Sequence, residues 1–214
     1  MNNGRLEIEI LRLTNLSSAS DFDPLFKNRG ISARFAAGPQ EIGTPDILII
    51  PGTRNAIGDY RRIKDAGFTQ KIKRILRNGS VVLGIAGGFE MMGQKIIDIK
   101  QSESGLSQSE GLSIFNCVTR IMPSVACGKV DFQWAEGASG DTFRGFESHK
   151  GRTKYLDGCT PLFRIVRKDG REVEIYDGAV SEERNAFGTY IHGVFDNNAF
   201  CEAFFDMVIK RRRN

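Results

Sequence analysis

The sequence contains few of the residues that build metal centres and disulfide frameworks. Its 214 residues include four cysteines and two histidines, and no two cysteines form a C-x-x-C pair. Scattered cysteines predict free thiols of a cytoplasmic protein, and so few histidines argue against a histidine-rich metal centre. We therefore expect no bound metal and no cofactor.

Long apolar runs and a strong charge bias are also missing. No run approaches the ~18 apolar residues that a membrane span needs, and the N-terminus lacks the basic and then apolar layout of a secretory signal. Thirty Lys and Arg against 26 Asp and Glu leave a formal charge of +4. The basic run at residues 210–213 predicts a solvated helix end. Neither a nucleic acid nor a membrane is therefore expected as a partner.

Hydrophobic segments of two kinds indicate the fold class. Residues 46–50 and 80–85 are continuous apolar runs, which are typical of strands buried on both faces of a parallel sheet. Between these two runs, residues 55–65 and 69–77 have apolar residues at helical spacing. The first half therefore predicts an α/β domain with a mostly parallel sheet flanked by helices.

The second half changes to short strand-like runs with glycine-rich turns. We expect these runs, between residues 111 and 190, to add antiparallel strands at the edge of the same sheet. Residues 100–110 are polar and predict a loop. An amphipathic helix is predicted from Asn197 to Arg213. No linker divides the chain, so residues 1–214 are predicted to form a single domain.

One glycine-rich turn has the layout of a nucleophile elbow. The run Leu83-Gly84-Ile85 is followed by Ala86, Gly87 and Gly88 and then by a helical segment. Such a turn lifts one side chain above the end of a buried strand, and the helix that follows supplies amide donors for an oxyanion. The residue at the apex is Ala86, whose methyl group cannot act as a nucleophile.

Several ordered motifs together resemble class I glutamine amidotransferases, and more narrowly the glutaminase domain of cobyric acid synthase. In that family the elbow reads G-I-C-G-G-[YF]-Q-M-L-G, and here residues 84–93 read GIAGGFEMMG. The other matching segments are SDFDPL (20–25), IPGTRN (50–55), GFESHKGRT (145–153), DGA (177–179) and GTYIHGVFD (188–196). The resemblance covers nearly the whole chain and implies a flavodoxin-like α/β fold.

The resemblance also implies roles for individual positions. In active relatives the elbow cysteine, here Ala86, attacks the amide of glutamine, and a histidine at the position of His192 is general base and acid. By position, the N–H groups of Gly52 and Gly87 would form the oxyanion site. Gly88, Glu90 and Thr53 would line the glutamine pocket. Many class I enzymes carry a Glu at the position of Val194, but the cobyric acid synthase branch does not.

Two positions depart from the family pattern. Ala86 replaces the nucleophilic cysteine, and Glu90 replaces a glutamine that helps line the pocket in relatives. An engineered removal of the nucleophile and a natural loss of hydrolysis both account for Ala86. Natural loss is favoured, because an engineered change would not explain Glu90. None of the four cysteines lies near the elbow in sequence, so none is expected to replace the missing thiol.

The resemblance implies partners as well as chemistry. In the family, ammonia passes to an ATP-dependent synthetase domain, which amidates carboxylates of a corrinoid in cobalamin biosynthesis. That domain does not precede the glutaminase segment here, so a separate synthetase chain is expected. Two alternatives stay open: a naturally inactive binding or scaffold subunit, and the amidotransferase subunit of a cell-wall precursor ligase. His149 lies in a matched segment, and a structural or pocket-wall role is favoured for it over catalysis.

Overall fold

Strands and helices alternate through the first half of the chain, as the sequence predicts. The computed structural model describes residues 5–136 and 140–212. In chain order the strands are β1 (Leu6–Leu11), β2 (Ile31–Ala36), β3 (Ile47–Ile50), β4 (Val81–Ile85), β5 (Lys95–Ile97), β6 (Gln108–Glu110), β7 (Cys117–Trp134), β8 (Phe143–Tyr155), β9 (Phe163–Lys168), β10 (Arg171–Asp177), β11 (Ala179–Val180), β12 (Ala186–Thr189) and β13 (Ile191–His192). The helices are α1 (Asp23–Lys27), α2 (Ala56–Asp65), α3 (Phe68–Arg77), α4 (Gly87–Met92) and α5 (Asn198–Arg212), with short 3-10 helices at Ala19–Phe22 and Val194–Asp196.

The central sheet is parallel except at one edge. Its strand order is β11-β12-β4-β3-β1-β2, and only the β11–β12 pair runs antiparallel. Every residue of β3 and β4 is buried, because packed layers cover both faces of the sheet. The α/β class with a mostly parallel sheet is thus confirmed. The carboxyl ends of β3, β4 and β12 meet along one edge of this sheet.

Most of the strands after residue 111 form a second sheet. The order β10-β9-β7-β5-β6 is extended by β8, which pairs with β7 and with β13. The expectation that these strands all extend the central sheet is therefore wrong, and only β11 does so as an antiparallel edge. The 18-residue β7 and the 13-residue β8 pair with each other and bury alternate residues such as Val130, Phe132 and Phe143. An alternating strand needs a core on one face only, so these strands cover the central sheet.

Two apolar cores lie on opposite faces of the central sheet. One joins the central sheet to the second sheet and to α5 through the phenylalanines of that helix, including Phe200 and Phe204. The other joins the opposite face to α2, α3 and α4. The predicted C-terminal helix is confirmed from Asn198 to Arg212, while its expected last residue, Arg213, lies outside the described residues. Within the described part of the chain, no helix has the length and apolarity to cross a membrane.

Candidate active site

The turn between β4 and α4 holds Ala86 in a backbone conformation that is rare for a residue with a side chain. Its φ and ψ are 47° and −114°. Such a conformation costs roughly 1–3 kcal/mol and persists only where the surroundings impose it. The Ala86 N–H donates to the Thr189 carbonyl at 2.8 Å, and the Glu90 N–H donates to the Ala86 carbonyl at 3.1 Å. The predicted elbow is therefore formed, with the Ala86 methyl group at its apex.

Close packing beneath the elbow requires its glycines. A Cβ on Gly88 would overlap the carbonyl oxygen of Ile50, and one on Gly84 would lie 2.8 Å from the Phe89 nitrogen. Both obstacles are backbone atoms, which cannot move aside as a flexible side chain can. The glycines thus let α4 start directly against the ends of β3 and β4.

Gly88→Ala is expected to destabilise the protein by roughly 3 kcal/mol, because the new methyl group must displace backbone in a packed core. Gly43→Ala is the matched control, since its Cβ would meet only Glu9 Oε1 at an ordinary 3.6 Å. Urea unfolding of both variants measures the difference. Equal stability of the two variants would contradict this account of the elbow.

Three of the predicted site positions converge beside the apex. A methyl group placed on Gly52 would lie 3.6 Å from Ala86 Cβ and 3.4 Å from His192 Cε1. His192 ends β13 and is buried, at 2% exposure. As the first residue of α4, Gly87 has an N–H without an acceptor inside the helix. The structure therefore brings Gly52, Ala86, Gly87 and His192 around one small space.

The imidazole of His192 is held by a carboxylate that is distant in sequence. Its Nδ1 donates to Asp21 Oδ2 at 2.6 Å, and both side chains are buried. A carboxylate only accepts hydrogen bonds, so this contact places the proton on Nδ1 and leaves Nε2 as the basic nitrogen. Nε2 has no hydrogen-bond partner among residues 5–136 and 140–212. On its face the ring stacks against Phe146, with centroids 5.0 Å apart.

Asp21 is the functional candidate that the sequence analysis missed. Its only signal was its place in the matched SDFDPL segment. Val194, at the position where many class I enzymes carry the orienting Glu, is a buried apolar residue in the 3-10 helix after β13. The orienting carboxylate of this site comes instead from the 3-10 helix before α1, 171 residues away in sequence.

Glu90 is a buried carboxyl group on α4, one helical turn after the apex. Burial, and secondarily the negative charge of Glu103, raises the pKa of Glu90 to about 8, although the Gly151 N–H donates to its carboxylate and opposes the shift. The group is therefore mostly protonated at neutral pH. A protonated carboxyl can donate one hydrogen bond, whereas the glutamine of the family pattern offers two amide donors.

The loop that contains Thr53 is held rigidly by Asp59. The Thr53 hydroxyl donates to Asp59 Oδ2 at 2.5 Å, so it is already engaged within the protein. Asn15 donates to the same carboxylate from its backbone and from its side chain, at 3.1 and 2.9 Å. Of the predicted pocket residues, Thr53 thus has its hydroxyl proton engaged, Gly88 has no side chain, and Glu90 carries a buried carboxyl group.

A second carboxylate, that of Glu103 in the segment of residues 98–110, lies near Glu90. Glu103 Oε2 accepts a hydrogen bond of 2.9 Å from the Ala56 N–H at the start of α2. Burial raises the pKa of Glu103, the Ala56 hydrogen bond opposes the shift, and the charges of Asp98 and Lys150 act in opposite directions. Residues 100–110 were predicted to form a loop, but the last three, Gln108–Glu110, form β6 against β5.

His149 is engaged on both of its ring nitrogens. Nδ1 lies 2.9 Å from the Gly151 carbonyl and Nε2 lies 3.2 Å from Glu147 Oε1. The ring stacks on Tyr190 with centroids 3.9 Å apart. Burial would raise the pKa of Glu147, but hydrogen bonds from His149 and Lys168 outweigh it and lower the value to about 2. These contacts agree with the structural role predicted for His149.

No cysteine takes the place of the missing thiol at the elbow in the described part of the chain. Cys117 packs beside Gly93, at the far end of α4, and its hydrogen bond with Cys159 and its burial raise its thiol pKa. Burial raises the pKa of the Cys201 thiol to about 11. Residues 5–136 and 140–212 contain no group of three metal-binding side chains.

Solved structures share this fold at low sequence identity. PurLQS from Thermotoga maritima superimposes with a TM-score of 0.69 at 16% identity, covering 92% of each chain. A solved structure described as a glutamine amidotransferase gives a TM-score of 0.70 at 13% identity and covers 94% of this chain and 97% of that one. The class I glutamine amidotransferase-like fold is therefore confirmed.

Sequence comparisons give a closer relationship. Cobyric acid synthase of Clostridium botulinum is 34% identical over 197 residues, which cover 92% of this chain and 40% of the relative. That of a Thermoanaerobacter species is 32% identical over 216 residues, which cover 98% of this chain and 43% of the relative. The chain thus spans about two fifths of the length of the curated relatives it matches. A model of the CobB/CobQ-like glutamine amidotransferase domain matches residues 7–200, and the chain belongs to that family.

Proposed function

We propose that the chain is a cobyric acid synthase-type glutamine amidotransferase domain that does not hydrolyse glutamine, because its nucleophile is missing. The observation that carries this proposal is the Ala86 methyl group at the apex of an intact elbow, beside His192. Glutamine hydrolysis in this family proceeds by covalent catalysis through a thiol. A methyl group has neither a lone pair nor an acidic proton with which to replace it.

The surroundings of the missing nucleophile support the same assignment. Asp21 orients His192 so that Nε2 stays basic, which is the arrangement that a general base needs. The Gly52 and Gly87 amides follow the ends of neighbouring parallel strands, where they would donate to the oxyanion of a tetrahedral intermediate.

The pocket next to the apex has changed along with the nucleophile. Glu90 presents a mostly protonated carboxyl where the family pattern has an amide, and Glu103 lies close enough to raise its pKa further. A protonated carboxyl group donates one hydrogen bond where an amide donates two, so this change weakens the fit of the pocket to glutamine. This second change favours a naturally inactive binding subunit as the alternative function, in which the pocket no longer serves glutamine.

The partner that we propose is an ATP-dependent synthetase, present as a further domain or as a separate chain. Support comes from the relatives named cobyric acid synthase, of which this chain matches about 40%. In such an assembly the synthetase would amidate carboxylates of a corrinoid in the cytoplasm. Free thiols in all four cysteines are consistent with that location.

The purified protein is expected to release no ammonia from glutamine above the spontaneous rate, because no thioester can form at Ala86. An enzyme-coupled ammonia assay measures this directly. The diazoketone analogue of glutamine, which alkylates active-site thiols, is the control reagent and should leave the protein unlabelled by intact mass. Ammonia release that depends on His192 would refute the proposed inactivity.

A further inference from the structure

A row of side chains crosses the outer face of the second sheet and ends at the candidate active site. Lys129 on β7 lies opposite Phe146 on β8, which lies opposite His192 on β13. Cross-strand neighbours share one face of a sheet, so only the ring of Phe146 separates Lys129 from His192. That ring is 41% exposed, although it stacks on the buried imidazole. The surface beyond it is therefore in contact with the site.

A cleft of about 680 Å³ opens beside this row. Its charged lining residues are Lys129, Asp131, Arg144, Arg167 and Asp196. The volume lies within the range of small-molecule sites, which is about 300–1,000 Å³. Gly145, Gly170 and Gly193 also line the cleft and add no side chains that would fill it.

Cationic groups outnumber carboxylates along the strands of this cleft. Asp131 on β7 is the cross-strand partner of both Arg144 on β8 and Arg167 on β9, so one carboxylate stands between two guanidinium groups. Arg144 Nε approaches Asp131 Oδ1 only to 3.8 Å, and Arg167 approaches Glu172 only to 3.8 Å. At these distances the forked N–H donors of both arginines stay available. Lys129 makes no ion pair within the described residues.

We propose that this cleft binds a small organic anion with at least two carboxylate or phosphate groups. Forked guanidinium groups on either side of Asp131 match carboxylate and phosphate oxygens in pairs. The exposed face of Phe146 offers an apolar surface for the rest of the ligand. Binding there changes the environment of His192 through the stacked ring. This site is separate from the glutamine pocket and does not depend on amide chemistry.

Isothermal titration at constant ionic strength tests the proposal with two probes, tricarballylate for carboxylates and pyrophosphate for phosphates. Arg144→Ala/Arg167→Ala is expected to weaken binding at least about tenfold, because it removes both forks. Arg120→Ala/Arg152→Ala is the matched control, since it removes two exposed arginines of the same sheet that face each other across β7 and β8, outside the cleft. The probe that binds more tightly identifies the natural class of ligand.

Binding should also be visible at His192 in the unaltered protein. The chain has only two histidines, so the imidazole NMR signals of His192 and His149 can be assigned by one substitution. We expect the bound anion to shift the His192 signals and to leave those of His149 in place. The proposal would be overturned if neither probe bound at millimolar concentration, or if the two double variants lost affinity equally.

Discussion

Ala86→Cys is expected to convert the chain into a glutaminase at least about 10³-fold more active than the unaltered protein. Restoring the central member of a catalytic unit restores most of what the unit contributes. The introduced thiolate would attack the glutamine carbonyl carbon, and the C–N bond would break as His192 protonates the departing ammonia. Water activated by His192 would then hydrolyse the thioester to glutamate. Ammonia release and the transient mass of the glutamyl adduct measure the two steps.

The restored activity should depend on the residues that surround the apex. Asp21→Asn in the Ala86→Cys background is expected to lose about 10²–10⁴-fold, because an amide no longer imposes the productive tautomer on His192. Ala86→Cys/His192→Ala should fall to the level of the unaltered protein. These variants separate a repaired active site from adventitious reactivity of the new thiol, which would not respond to either change.

Ammonia release by Ala86→Cys/Glu90→Gln, but not by Ala86→Cys, would show that the pocket has changed as well as the nucleophile. If neither variant released ammonia from glutamine, the proposal that Ala86 lies in an otherwise intact site would be contradicted. In that case the function as a binding subunit would gain support, because the pocket would have lost its fit to glutamine. The same pair of variants thus distinguishes the main proposal from its alternative.

Local sequence pattern predicted the elbow because every element of it is local. A buried strand, a glycine turn and a helix start occupy residues 81–92, and the overlap that Gly88 avoids lies directly beneath the turn. Gly52 follows the neighbouring strand, so parallel order alone brings it to the same edge as Ala86. The convergence of these positions needed only strand order and the preference of parallel sheets for right-handed crossovers.

Contacts between distant segments were beyond the reach of such reasoning. The bond between Asp21 and His192 joins residues 171 positions apart, and no periodicity encodes which of the 26 acidic residues makes it. Glu103 reaches the Ala56 N–H and the neighbourhood of Glu90 from a polar segment whose composition indicates only a loop. Both depend on how the second sheet and the 98–110 segment fold onto the central sheet.

The second sheet shows a further limit of local pattern. Alternation in β7 and β8 predicts strands with one buried face, but it does not say which core receives that face. Adding them to the edge of the central sheet and laying them over it both satisfy the alternation. In the structure β7 pairs with β5, β8 and β9, all of which belong to the second sheet.

Glu90→Gln is expected to remove a pH dependence from the stability of the protein. A carboxyl group whose pKa rises on folding binds its proton more tightly in the native state. Its contribution to the free energy of unfolding is therefore fully present below pH 4.5, the pKa of the group in the unfolded chain. As pH rises from 4.5 towards 8, the unfolded chain releases a proton that the native state retains, and stability falls. Over this pH range the free energy of unfolding of Glu90→Gln should rise by roughly 4 kcal/mol relative to that of the unaltered protein.

Urea unfolding at several pH values between 4.5 and 8 measures this difference. Asp177 also has a pKa raised by burial, to about 6, but it is present in both proteins and cancels in the comparison. Glu110→Gln is the control, because its side chain is 76% exposed and its curve should run parallel to that of the unaltered protein. If the Glu90→Gln curve also ran parallel, Glu90 would be ionised in the native state. The pocket beside Ala86 would then hold a fixed negative charge at neutral pH, and the hydrogen bond from the Gly151 N–H would have to stabilise that charge.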